Sequence, residues 1–262
     1  MQAAESARED GRPPSRRERF RLATIDEIKE AARAQVAREG PAGLSVRAVA
    51  RAMHMTPSAL YRYFSGLDDL ITALCVDAYQ SLGDSARAAV EAEDPDDHVA
   101  RWRAFENGTR RWALAHPGDF ALIYGTPLPG YRAPAEVTRP AARRFTDIAL
   151  HLIAAAVAAG TVDLDRGLIQ YEPRLDPGLT AGWRDGDVPH DPRVLANLIG
   201  AWTMLQGHLT LELFGHFEWL QTDLDIVFDA HVTATMLAIG FDPRAVAAAP
   251  SGAAADSGPR AP

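Results

Sequence analysis

Between Thr56 and Phe64 the chain places hydroxyl, small and cationic residues at a spacing that suits contact with a polyanion. Thr56-Pro57 is a helix-start signature. The threonine hydroxyl can accept from an orphan amide, and a proline at the first helical position gives up an N–H that had no partner anyway. Stepping 100° per residue puts Leu60 and Phe64 on one side, Ser58, Tyr61 and Arg62 on the other, and Ala59 and Tyr63 on the flank. Such an outward face suits the major groove of DNA: small residues allow close approach, arginine can read guanine edges, and hydroxyls can bond phosphate. Other chemistry-bearing residues are sparser. His208, Glu212 and His216 recur every four residues, a spacing that can set metal ligands side by side. A structural polar contact explains the same pattern better, and no metal is expected. Cys75, the only cysteine, lies among apolar residues and reads as a small buried hydrophobe; a lone cysteine excludes an internal disulfide. The phosphate-binding glycine loop, the G-x-S-x-G elbow and H-E-x-x-H are all missing, so neither an enzyme nor a cofactor is expected.

The elements that must position these residues read as all-α. Thr24-x-x-Glu27 resembles a capping box, followed at helical spacing by Ile25, Ile28, Ala32 and Val36 and ended by Gly40. Ser45 can cap a second helix whose Val46, Val49, Ala50 and Met53 share one stripe, and a third runs from Thr56 to Phe64. Two short helices joined by a tight turn have the layout of a helix-turn-helix, although such pairs also occur in all-α proteins that never meet DNA. Ser65 and Asp68 can start a long helix reaching Glu91, and helical patterns return near 98–115, 118–125, 134–159, 192–216 and 221–240. No stretch alternates with period two for long enough to compete as a strand. The expected organisation is a mobile basic arm (1–20), a helix-turn-helix domain (21–66), a helical body (67–242) with a mobile acidic loop at 161–191, and an unstructured tail (243–262).

Charge follows the same division. The 262 residues carry a net charge of −8, which taken alone argues against a general polyanion binder. Residues 1–65, however, hold twelve Lys+Arg against eight Asp+Glu, and the remainder fifteen against twenty-seven. A +4 head on a −12 body implies that one small region meets an anion. No segment has the roughly 20 apolar residues needed to span a bilayer, and the start lacks the apolar core of a signal peptide; a cytoplasmic protein with no membrane association is expected.

Ile28, Ala31-Ala32, Gly40, Leu44-Ser45-Val46, Val49-Ala50 and Leu60-Tyr61-Arg62-Tyr63-Phe64, followed by Leu70, resemble the DNA-binding domain of TetR-type bacterial transcriptional regulators. The resemblance implies an Ω-shaped all-α homodimer with two heads on a palindromic operator in double-stranded DNA. Each C-terminal domain would dimerise and bind a small-molecule effector. Carried over position by position, Thr56, Pro57, Ser58, Ala59 and Arg62 face bases, and Ser45, Arg47, Tyr61 and Tyr63 contact phosphates. Three positions depart from the pattern. His54 stands where the turn usually has glycine, so either it adopts an uncommon backbone conformation or the turn differs slightly; Pro57 occupies an often polar site, and Leu67 replaces a phosphate-binding lysine, a loss that the Arg residues of the arm could offset.

His116-Pro117-x-x-Phe120 and the later Trp202, Gly207, Glu212 and Gly215 resemble a sub-group of TetR-type C-terminal domains. That likeness implies a four-helix dimer interface from the last two long helices. Leu195, Leu198, Ile199, Trp202, Leu205, Leu209, Phe228, Val232, Thr235 and Met236 would supply it. Trp102, Phe105, Thr109 and Trp112 recur at helical spacing, and with Phe120, Tyr124, Phe145, His151 and Trp202 they are candidates for a ligand cavity between helices. Each of these aromatics taken singly is better explained as core. The expected function is an operator-binding repressor released by an unidentified ligand. The alternatives are a regulator controlled by a protein partner, and an all-α binding protein or enzyme with a vestigial head.

Overall fold

The computed structural model describes residues 15–174 and 191–249; the expectations for 1–14, for most of the acidic loop and for the tail beyond 249 lie outside them. Among the described residues there are ten α-helices: α1 Arg16–Glu39, α2 Val46–Ala52, α3 Pro57–Leu60, α4 Leu67–Glu91, α5 His98–Ala115, α6 Pro117–Tyr124, α7 Ala135–Ala158, α8 Pro192–Leu213, α9 Leu224–Ile239 and α10 Pro243–Ala248.

The first helix begins earlier than its sequence signals indicate. Ser15 is the N-cap, its hydroxyl accepting from the Glu18 amide at 3.2 Å, so residues 16–20 are helical and not part of a mobile arm. Thr24 is interior, its hydroxyl donating to the Phe20 carbonyl at 2.9 Å, so Thr24-x-x-Glu27 caps nothing. The expected ending at Gly40 holds, with φ +71°.

Two hydrophobic cores form, and α4 belongs to both. Ile28, Ala32 and Val36 of α1 close over Val49, Ala50, Leu60 and Phe64, and over Leu70, Ile71, Leu74 and Cys75 from the start of α4. Further along α4, Ala78, Leu82, Ala86 and Val90 enter the body core with α5, α7, α8 and α9. Small residues let α4 and α5 approach closely: a Cβ on Gly108 would stand 2.7 Å from that of Ala89.

The body also departs from expectation at its ends. Val162 and Leu164 are buried, Val162 forms a bridge with Phe241, and the Leu168 amide donates to the Ala238 carbonyl at 2.8 Å, so the first part of the acidic loop is pinned. Gly240, at φ +108°, permits this contact, because any side chain there would strike the Asp163 carbonyl. Residues 243–248 form α10 where a tail was expected; Asp242 caps it and Val246 is buried. At the far end of α8 the helix stops at Leu213, and Gly215, at φ +77°, turns the chain toward α9. No helix is long and apolar enough to cross a membrane among the described residues.

Candidate functional site

The outward face of α3 is built by local signals. Thr56 is the N-cap; its Oγ1 accepts from the Ala59 amide at 3.3 Å and lies 2.9 Å from Ser58 Oγ. Regular α-helix ends at Leu60, and tighter turns continue it to Phe64 through Arg62 N–H to Ala59 O and Tyr63 N–H to Leu60 O. The third helix is therefore shorter than 56–64, but the chain keeps helical sense and anchors Leu60 and Phe64 inward. Thr56, Pro57, Ser58, Tyr61 and Arg62 are exposed, and Ala59 and Tyr63 half-buried. His54 adopts φ +55°, the uncommon conformation that its glycine-like position requires, and Met55 N–H then reaches Ala50 O at 2.8 Å.

Arg47 is exposed on α2, and Ser45, although the N-cap by position, makes no side-chain cap bond. The turn before α2 is held instead by Gln35, which is almost fully buried. Its Nε2 donates to the Gly43 carbonyl and its Oε1 accepts from the Ser45 amide. Helical residues of the expected arm add to this face. Arg17, Phe20 and Arg21 line a groove of about 450 Å³ with Arg62 and Tyr63, and the Arg21 guanidinium lies 5.8 Å from the Tyr63 ring centroid. The run of arginines signals a basic surface, but only the start of α1 at Ser15 brings it beside α3.

Head and body meet through charge as well as through α4. Asp77 accepts from Lys29 Nζ at 2.8 Å and Arg33 Nη2 at 2.6 Å, and Arg33 also stands 3.6 Å from Asp119 on α6. Burial raises the Asp119 carboxyl, against the pull of Arg33. Cys75 is buried in the head core, and desolvation pushes its thiol up to about 11, consistent with a packing residue.

The candidate ligand residues separate into two groups. Trp102, Phe105, Phe145 and Trp202 line one small cavity with Glu106, Thr146, Ala149, Leu198, Ala201 and Leu205. Its free interior is about 10 Å³, room for roughly one water. Thr109, Trp112 and Phe120 are buried but do not line it; Trp112 Nε1 donates to Ser81 Oγ at 2.9 Å and Phe120 packs near Tyr124, their centroids 5.4 Å apart. Tyr124 stands edge-on to Trp202, and His151 is exposed on a separate groove beside α4 and α5.

The expected dimer residues need correction. Leu205, Leu209, Phe228, Val232, Thr235 and Met236 are buried inside the subunit's own core, as is Leu198, so they offer no surface to a partner. Leu195 and Ile199 remain half-buried and Trp202 is exposed. Leu211, Phe214, Trp219, Ile226 and Leu237, which the sequence stripe does not single out, are further exposed apolar residues on the last two long helices and their connection.

Glu106 was missed, although its signal was present: Trp102, Phe105, Glu106 and Thr109 share one i, i+3, i+4, i+7 stripe, so the glutamate faces inward. It is fully buried; Oε1 accepts from Trp102 Nε1 at 2.9 Å, and Oε2 has no hydrogen-bond partner among the described residues. His231 Nε2 stands 3.7 Å from Oε2, and the His231 ring lies 4.7 Å from that of His208. Burial, then the nearby His208, lower His231 to about 4, so it is neutral at pH 7. Glu212, one member of the His208-Glu212-His216 series, is held by Arg110 in a bidentate pair at 2.6 and 2.8 Å, while His216 is exposed. Burial alone would raise the Glu212 carboxyl, but His208 and Arg110 outweigh it and hold it at about 2.

Comparison with known proteins bears on both halves. Residues 28–74 match the family of bacterial regulatory proteins described as the tetR family, and residues 102–235 match the tetracyclin repressor-like C-terminal domain. HTH-type transcriptional regulator Rv1816 of Mycobacterium tuberculosis is 37% identical over 207 residues, covering 78% of this chain and 86% of that protein; Mb1846 of Mycobacterium bovis matches equally. Among solved structures, regulatory protein SCO4313 superposes with a TM-score of 0.66 at 33% identity, over 86% of this chain and 99% of its own. RolR, crystallised in complex with the ligand resorcinol, shares the fold with a TM-score of 0.54 at 14% identity, over 89% of this chain and 97% of its own.

Proposed function

The chain belongs to the TetR family of DNA-binding transcriptional regulators, and on that premise we propose that it is a homodimeric repressor released from a palindromic operator by a small molecule. In this reading Thr56, Pro57, Ser58, Ala59 and Arg62 face bases, while Ser45, Arg47, Tyr61 and Tyr63 hold phosphates, with Arg17 and Arg21 added alongside. The exposed apolar residues of α8 and α9 meet the partner subunit, and the cytoplasm, where the operator lies, is the compartment of action.

The observation that carries ligand control is the continuity of α4 through both cores. A ligand bound between α5, α7 and α8 in the body acts on the same rigid helix that supplies Leu70, Ile71 and Leu74 to the head. The Lys29 and Arg33 pairs to Asp77 transmit its displacement to α1. A shift of α4 changes the separation of two heads that must enter successive major grooves, and the ligand's differential affinity for the two arrangements sets the response. That RolR holds resorcinol supports a small-molecule role for this fold.

The test is selection of genomic fragments on the purified protein, followed by titration of the selected operator with candidate effectors. Recovery of a palindromic site that an effector releases supports the reading. Sequence-independent retention of DNA, or an operator affinity no effector changes, overturns it.

A further inference from the structure

We infer that the body cavity takes a small lipophilic cation, an aryl-alkyl ammonium, whose charged nitrogen pairs with Glu106. This inference rests on the ligand-controlled reading above and specifies the chemistry of its site.

A fully buried carboxyl group with one unpartnered oxygen beside a cavity is costly unless something binds there. Glu106 is such a group: Oε1 is satisfied by the Trp102 indole, whereas Oε2 is left without a hydrogen bond. The charged groups around it do not complete the site. His231 is neutral at pH 7, and Arg103 is engaged by Asp229 Oδ1 at 2.9 Å and Thr233 at 3.2 Å. Four aromatic side chains, Trp102, Phe105, Phe145 and Trp202, share the remaining wall with Thr146 and aliphatic residues, and aromatic rings tolerate a cation beside them better than an anion. An aliphatic ligand alone would leave Oε2 unpaired, and a carboxylate could not neutralise the charge left when the Glu106 proton departs.

Desolvation raises the Glu106 carboxyl well above its ordinary range and so favours its neutral form while no cation is bound. Binding then exchanges charge one for one. The ammonium enters, the Glu106 carboxyl proton leaves to solvent, and an N–H···O⁻ pair forms in a site whose net charge is again zero. Entry requires the helices around the cavity to open, because its interior has room for only about one water. The −12 charge of residues 66–262 favours approach of a cation.

Binding of 2-phenylethylamine, 2-phenylethanol and phenylacetate to the full-length protein, followed by calorimetry at pH 6, 7 and 8, tests this. The amine is expected to bind at least tenfold more tightly than the alcohol at pH 8, to tighten by up to tenfold per pH unit as one proton is released, and to lose at least tenfold in Glu106→Gln. Amine binding no tighter than that of the alcohol, or independent of pH, overturns the inference on the wild-type protein alone, whether or not the variant folds. Operator release is measured separately. Amine binding without release keeps the inference and rejects ligand control, whereas release by the alcohol or the acid keeps ligand control and rejects the cation.

Discussion

In the head, Arg47 and Arg62 are exposed and make no ion pair among the described residues, whereas in the body Arg103 and Arg110 are more than nine-tenths buried and locked to Asp229, Glu212 and Asp225. The same residue type thus serves two physical ends. An exposed guanidinium keeps its hydration and its donors for a partner, and contributes little to folding until that partner arrives. A buried one has lost its water and is tolerable only because carboxylates replace it, so it is committed to the fold. The comparison separates recognition chemistry from structural chemistry without reference to sequence position.

The largest expected break in this comparison is Arg110→Ala. It strands Glu212 and exposes the Phe228 face over which the guanidinium lies at 4.9 Å, and should cost about 3–5 kcal/mol in chemical denaturation. Leu60→Ala, which empties a fully buried site in the head, should cost about 2–5 kcal/mol. A loss in operator binding larger than the stability change would show that α3 is held in place by that side chain. Third, acid should weaken the body through His231. Its folded value of about 4 lies below the ordinary value of about 6.5, so the unfolded chain takes the proton first. Stability from this group is intact above about pH 6.5 and falls toward pH 4, by about 2–3 kcal/mol. His231→Gln should gain on the wild type across that window; parallel melting curves would contradict the assignment. The smallest stability effect belongs to Arg62→Ala, within about 0.5 kcal/mol, yet it should weaken operator binding by about 1–3 kcal/mol and relax base preference. If Arg62→Ala lowers stability as much as Arg110→Ala, the contrast between the two regions fails.

Much of the head was legible because its signals are local. Thr56-Pro57 starts α3 in the structure as it does in the sequence, and of the two ways to fill the turn without glycine His54 takes the positive φ. Thr24-x-x-Glu27 misled for a related reason. The same residues cap a helix or sit within one depending on whether the upstream chain is already helical, and Ser15 makes it so. In the body, α10 was invisible by composition, since one buried valine, Val246, distinguishes a docked helix from a tail. The stripe containing Leu205, Leu209, Phe228 and Met236 stated that those helices bury one face. It could not state whether the cover was another subunit or the subunit's own α5 and α7.

The sequence by itself determined the all-α class, the helix-turn-helix and the outward set on α3, because caps, turns and 3.6-residue periodicity act over a few residues. Only the tertiary structure decided which faces close on each other, that α4 joins two cores, and that one oxygen of Glu106 lacks a hydrogen bond among the described residues. Those facts depend on residues far apart in the chain, Glu106 with His231 and Arg110 with Glu212 among them, and burial turns an ordinary carboxyl into a site only once such neighbours have removed its water.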